Sequence, residues 1–205
     1  MSVIKQGGLV FDIGAHKGES AESFLKAGAG QVVCVEAGFE FAREISCRGF
    51  TGVTVVHAAC GEIAGELVSW HRATKDDGRS TIGIERWREV YKDEIFMPSE
   101  TVATVTLDQL KNAFGQPDYV KIDVEGQELA VLGGMYTCDP SFITFEFHGA
   151  DEKSFRNCAS LLSLLGYTKQ IMMASDVDTR LMPVNPIADL LTCDLPVWGN
   201  VTVGR

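Results

Sequence analysis

Three apolar runs of this chain each end in an acid: Leu9-Val10-Phe11-Asp12, Gln31-Val32-Val33-Cys34-Val35-Glu36 and Tyr119-Val120-Lys121-Ile122-Asp123. Carboxylates at strand ends can hold a cationic ligand or accept hydrogen bonds from a ribose diol. The first run opens the turn Asp12-Ile13-Gly14-Ala15-His16-Lys17-Gly18-Glu19-Ser20. Glycine tolerates positive φ and lets a ligand approach the backbone. The helix that follows points free N–H groups at that ligand. The spacing is G-x-x-x-G, neither the G-x-G-x-x-G of a dinucleotide site nor the G-x-x-x-x-G-K-[ST] of a phosphate loop. A pyrophosphate is therefore not the favoured guest, and a nucleoside with a carboxylate end matches better. Glu36 lies 18 residues after Gly18. It can bind a ribose diol and would repel a 2′-phosphate. Taken singly, Asp12 also suits a helix cap, Glu36 a solvated strand end, and Gly14 and Gly18 plain turn glycines.

Further candidates follow along the chain. His57-Ala58-Ala59-Cys60-Gly61-Glu62 is a small loop able to lie against a flat base, with Cys60 reading first as packing. Glu125 stands two residues beyond Asp123, and His148 closes the run Phe142 to His148. Glu146 shares the face of His148 and can orient it. Lys121 shares the face of Asp123, where an ion pair is expected. Clustered acids favour a cation and raise one another's pKa. Asp123, Glu125, Glu146 and His148 could also gather around a divalent ion, but no ligand spacing compels it and no metal is expected. His16 is expected to be exposed; His57 and His71 carry no signal.

These residues need a scaffold. The runs at Leu9, Gln31 and Val53 to His57 are apolar throughout, the pattern of parallel strands buried on both faces. Helical spacing covers Glu19 to Ala27, Phe39 to Arg48, Leu107 to Phe114, Glu128 to Leu132 and Phe155 to Leu165. Tyr167 to Met173 and Val197 to Val203 read as two last strands. The fold class is α/β: a Rossmann-like, doubly wound, mostly parallel seven-stranded sheet with helices on both faces. One domain spanning 1–205 is expected. The stretch of about 62–101 departs from the alternation. It holds two alternating strands, Glu66 to His71 and Thr101 to Thr106, a polar segment Lys75 to Ser80, and a helix near Glu85 to Asp93 ended by Pro98. It reads as an excursion that covers the substrate.

Composition limits the partners. The chain has 205 residues, 45% apolar and 22% charged, which excludes disordered, collagen-like and coiled-coil classes. At this length a core needs no disulfide or metal staple. The net charge is −10, from 18 basic and 28 acidic residues. The loose basic cluster of Arg72, Lys75 and Arg79 is broken by Asp76 and Asp77, so neither nucleic acid nor an anionic membrane is an expected partner. A small-molecule acceptor is. Six cysteines without C-x-x-C spacing, no signal-like start and no membrane-spanning apolar run point to a cytoplasmic location. Oligomeric state is not legible.

The motifs together resemble the class I S-adenosylmethionine-dependent methyltransferases, and specifically the FkbM family. The matching residues are Val10-Phe11-Asp12-Ile13-Gly14-Ala15 with Gly18 and Ser20, Val35-Glu36, Ala59-Cys60-Gly61-Glu62, Thr106-Leu107-Asp108, Asp118 to Gly126 with Glu128-Leu129, and Phe145-Glu146-Phe147-His148. The Lys121-Ile122-Asp123-Val124-Glu125-Gly126 block is the most specific. The resemblance covers roughly 8–150, with a looser tail. It implies S-adenosylmethionine as cofactor, with Asp12 anchoring its amino-acid end and the turn Gly14, Ala15, Gly18 and Ser20 beside its methionine. Glu36 with Ala37 would take the ribose, Ala59 and Cys60 the adenine. Asp123 would either bind the methionine ammonium or act as general base, with Glu125 beside it and His148 as the alternative base. Two departures stand out: Ala37 replaces a common proline, and few residues precede the first strand. The expected activity is O-methylation of a sugar or natural-product hydroxyl. The alternatives are N-methylation of a small molecule or peptide, or nucleotide binding without methyl transfer. The missing G-x-G-x-x-G argues against a dehydrogenase.

Overall fold

A computed structural model describes residues 3–97, 100–174, 187–191 and 198–205. In chain order the elements are β1 (Leu9–Ile13), α1 (Glu19–Lys26), β2 (Gln31–Glu36), α2 (Phe39–Cys47), β3 (Val53–His57), β4 (Ala59–Cys60), β5 (Leu67–Trp70) and α3 (Ile84–Val90). There follow β6 (Glu100–Val105), α4 (Leu107–Phe114), β7 (Tyr119–Ile122), α5 (Glu128–Gly133), β8 (Phe142–His148), α6 (Glu152–Leu164), β9 (Lys169–Ala174) and β10 (Trp198–Gly204).

The main sheet has seven strands in the order β3-β2-β1-β7-β8-β10-β9. Its first five strands pair in parallel, and β10 runs antiparallel to both β8 and β9. The architecture is Rossmann-like α/β. The strand order reverses between β1 and β7, so their carboxyl ends open a crevice, the place where such sheets bind ligands. Alternate residues of each strand serve opposite faces. Val10, Val32 and Cys34 pack with Ala21 of α1 and Ile45 of α2. Phe11, Ile13, Val33, Val35, Val120 and Ile122 pack with Leu107, Val131, Phe155 and Leu162 of α4, α5 and α6. Each such side chain contributes about 1.5–3 kcal/mol on burial.

One strand differs from expectation. β3 is half-buried along its length with His57 exposed, because it pairs only with β2 and forms the sheet edge. Its β-branched run marks strand propensity, not two-sided burial. The cluster Leu107–Phe114 has a physical start signal: Thr106 Oγ1 accepts from the Gln109 N–H while the Gln109 side chain accepts from the Thr106 N–H, a capping box.

The excursion builds a second sheet in the order β4-β6-β5, with β5 and β6 antiparallel. The strand β4 was not foreseen; at two residues it has no periodicity to read. Phe41, Ala59, Trp70 and Val102 bury together and fasten this small sheet to α2. Pro98, Cys193 and Val197 lie outside the described residues. Among those described, no helix is long and apolar enough to cross a membrane.

Candidate active site

A cleft of about 540 Å³, open mouth included, lies at the carboxyl ends of β1, β2 and β7. Gly14, Glu36, Ala37, Ala59, Cys60, Asp123 and Glu125 line it, with Trp70, Asp77, Thr81 and Ile82 from the excursion. Gly14 has φ 78°, and a Cβ there would stand 1.8 Å from the Asp123 carbonyl oxygen. The turns after β1 and β7 therefore cross so closely that only glycine fits. Gly18 caps α1 in the left-handed conformation without a side-chain bond, so Asp12 is not the cap. Asp12, Ala15, Gly18, Ser20 and His148 do not line the cleft.

Asp12 is 0% exposed, and neither of its oxygens has a hydrogen-bond partner. Burial pushes its carboxyl up to about 6, against the pull of Lys121, whose Nζ lies 3.9 Å away. Glu36 is not a solvated strand end. It is buried, and its oxygens accept from the Gly38 N–H at 2.7 Å and the His16 N–H at 2.8 Å. Burial raises it to about 7, although those backbone bonds oppose the rise.

Lys121 forms the expected ion pair with Asp123, Nζ to Oδ2 at 2.8 Å. The neighbouring acids do raise Asp12, Glu125 and Glu146, as expected, but Asp123 itself departs from that expectation. Burial works upward on Asp123, but the Lys121 ammonium outweighs it and holds the carboxyl below its ordinary value. Asp123 is thus a weaker base than a free carboxylate. Burial raises Glu125 and lifts Glu146 to about 8. His148 is half-buried, which opposes its charge, yet the Glu125 and Glu146 carboxylates, each 3.7 Å from its Nε2, lift it to about 10. The two carboxylates therefore favour the charged form of His148 over a free base.

The turn after β7 is held from several sides. Glu125 has φ 53° and Gly126 φ 92°. The Glu128 carboxylate accepts from the N–H groups of Val124 (3.3 Å) and Gly126 (3.1 Å). A Cβ on Gly126 would meet the Trp87 ring at 2.9 Å. Trp87, 1% exposed, donates its Nε1–H to Glu125 at 3.1 Å. The Tyr91 hydroxyl lies 3.3 Å from both ring nitrogens of His148. Thr81 donates to the Glu125 carbonyl at 2.9 Å. On the other side of the cleft, Asp77 meets His16 Nε2 at 3.1 Å and Lys17 Nζ at 2.7 Å. His16, expected to be exposed, is half-buried for this reason, with its ring 4.6 Å from that of Phe41. Sequence reasoning missed Trp87, Tyr91, Thr81 and Asp77. The one available signal was the aromatic pair at i, i+4, Trp87 and Tyr91, on a short helix.

The family model described as the methyltransferase FkbM domain matches residues 12–169. No curated protein matches the sequence. Among solved structures, the ribosomal protein L11 methylase from Lactobacillus delbrueckii subsp. bulgaricus is similar with TM-score 0.53 at 10% identity, covering 98% of this chain and 71% of that one. Fibrillarin from Aeropyrum pernix, crystallised with natively bound S-adenosyl-L-methionine, gives 0.52 at 12%, covering 98% and 68%. A TehB-like SAM-dependent methyltransferase from Corynebacterium glutamicum gives 0.50 at 8%, covering 98% and 82%. At such identities the likeness speaks for the fold, and the family match carries the activity: this chain belongs to the FkbM methyltransferase family and is an S-adenosylmethionine-dependent enzyme.

Proposed function

We propose that the chain methylates a hydroxyl oxygen of a small molecule such as a sugar or a natural product. The observation that carries this reading is the shared lining of one bounded cleft: Glu36, Asp123 and Glu125 from the sheet, and Trp70, Thr81 and Ile82 from the excursion. The residues present suit a cationic nucleoside with an amino-acid end. Asp12 supplies a buried carboxylate without a hydrogen bond, and Asp123 a second acid near the Gly14 turn. Glu36 is placed for the ribose diol, with Ala37 beside it, and Ala59 and Cys60 give a small apolar wall for the base. When bound, S-adenosylmethionine supplies an electrophilic methyl group on a sulfonium.

The chain's own work is alignment and proton removal. Holding acceptor and donor in line can supply several kcal/mol of the barrier. Asp123 takes the hydroxyl proton, with Lys121 fixing its carboxylate. Glu125, with His148 behind it, orients the acceptor. The excursion, pinned by Asp77 and Thr81, excludes water and bounds the acceptor's size. The net charge of −10 opposes a polyanionic acceptor such as RNA.

Incubating acceptor pools with isotopically labelled methyl donor tests the reading. Label on the oxygen of a small product supports it; label on nitrogen, or on a macromolecule, replaces it. With the acceptor in hand, Asp123→Asn is expected to cut kcat about 10²–10⁴-fold with little change in cofactor affinity. Equal losses in both would make Asp123 a cofactor anchor only.

A further inference from the structure

Behind Asp123, the turn after β7 and the end of β8 bring three donor atoms together. His148 Nε2 lies 3.7 Å from Glu125 Oε2 and 3.7 Å from Glu146 Oε2. All three atoms fall within 4.8 Å of one another. Around a divalent ion with bonds of ~2.0–2.2 Å, neighbouring donors stand roughly 3–3.5 Å apart. Side-chain shifts well below 1 Å per residue would therefore convert this triangle into a coordination face.

An independent observation points to a missing ligand. The Glu146 side chain is 11% exposed, and its Oε2 is buried with no hydrogen-bond partner. Asn200 is in register with Glu146 across the β8–β10 pair, on the same sheet face. Its Oδ1 is also buried without a partner. Buried acceptors left unpaired are costly, and two of them on adjacent strands call for a donor or cation between them. Lys121 does not serve, since its ammonium sits on Asp123 at 2.8 Å.

We propose that Glu125, Glu146 and His148 form a binding site for a divalent first-row transition-metal ion, of the manganese or zinc type, beside the methyl-transfer cleft. Two carboxylates and an imidazole suit such ions better than calcium or magnesium, which prefer all-oxygen sets, or copper(I), which prefers sulfur. The surroundings supply the outer contacts that metal ligands need. Trp87 donates to Glu125 Oε2, and the Tyr91 hydroxyl lies against the His148 ring. Because Glu125 lines both this triangle and the cleft, an ion here reaches the acceptor side. Resting on the O-methyltransferase reading, the ion's role is to ligate the acceptor hydroxyl and acidify it. The proton then passes to Asp123, the oxygen's electron pair forms the bond to the methyl carbon, and the carbon–sulfur pair stays on sulfur.

The test uses the full chain stripped with chelator and titrated with Mn²⁺, followed by electron paramagnetic resonance, with S-adenosylhomocysteine binding measured separately by calorimetry. One tightly bound Mn²⁺ per chain is expected, displaceable by Zn²⁺, with a nitrogen coupling from an imidazole ligand. Glu146→Gln and His148→Asn should each weaken it by at least about tenfold, and His148→Asn should abolish the coupling. The coupling in unmutated protein reads the site even if a variant fails to fold. Absence of a stoichiometric Mn²⁺ site, or affinity and coupling indifferent to both substitutions, overturns the metal site. If S-adenosylhomocysteine binds in that same preparation, the methyltransferase reading survives; if it does not, that reading fails on its own account.

Discussion

Asp12 is a carboxyl whose burial costs the folded state. Its folded-state pKa of about 6 lies above its ordinary 3.8, so the folded form holds the proton more tightly than the unfolded form. That preference stabilises folding below about pH 4 and is gone once the pH passes about 6. Asp12→Asn, which mimics the protonated acid, should match the parent's stability at pH 4. At pH 7 it should exceed it by up to about 3 kcal/mol, while cofactor affinity falls. Denaturant melts at the two pH values check this; a gap that does not widen with pH defeats it. Glu36 makes a matching prediction. The proposed grip on a ribose diol requires the carboxylate, and burial sets its ionisation near 7. Cofactor affinity should therefore climb as the pH rises from 6 to 8. Glu36→Ala should lower affinity by about 1–3 kcal/mol and flatten that climb, as read by calorimetry. The sequence made both acids visible as strand-end carboxylates. It could not show that Lys121 pulls Asp123 down while burial pushes Asp12 up, because both effects depend on cross-strand neighbours.

At the scale of elements, the excursion is held to the glycine turn by few contacts. Asp77 accepts from His16 and Lys17 and lies 3.7 Å from Arg72, whose other nitrogen contacts Glu40. Asp77→Ala should free this corner: amide exchange across 72–82 should quicken while β1, β2 and β7 keep their protection. Unchanged exchange would mean that Trp70 and the small sheet alone hold the excursion. The strands of the main sheet were legible because apolar β-branched runs have few other uses. Helices such as α4 were legible from spacing. The short β4 and the docking of α3 were not, since two residues carry no period and Trp87 declares no partner until Gly126 leaves room for its ring.

For the whole molecule, the reading of scattered cysteines as packing can be checked directly. Cys34, Cys60, Cys138 and Cys158 are free and buried, whereas Cys47 is free and exposed. Burial pushes the Cys60, Cys138 and Cys158 thiols up to about 12, which removes the reactive thiolate. Brief alkylation of the native protein should label Cys47 and spare those four until denaturant is added. Early labelling of Cys60 would show that the cleft wall opens in solution.

The sequence by itself determined the strands of the main sheet, the helices, the glycine turn and the family, because these rest on local pattern and on motifs contiguous in the chain. Tertiary structure alone decided which acid is held charged, which histidine faces two carboxylates, and which aromatics of the excursion brace the turn after β7. Those properties arise from distances between groups far apart in sequence and from the water that folding removes around them, and no local pattern encodes either.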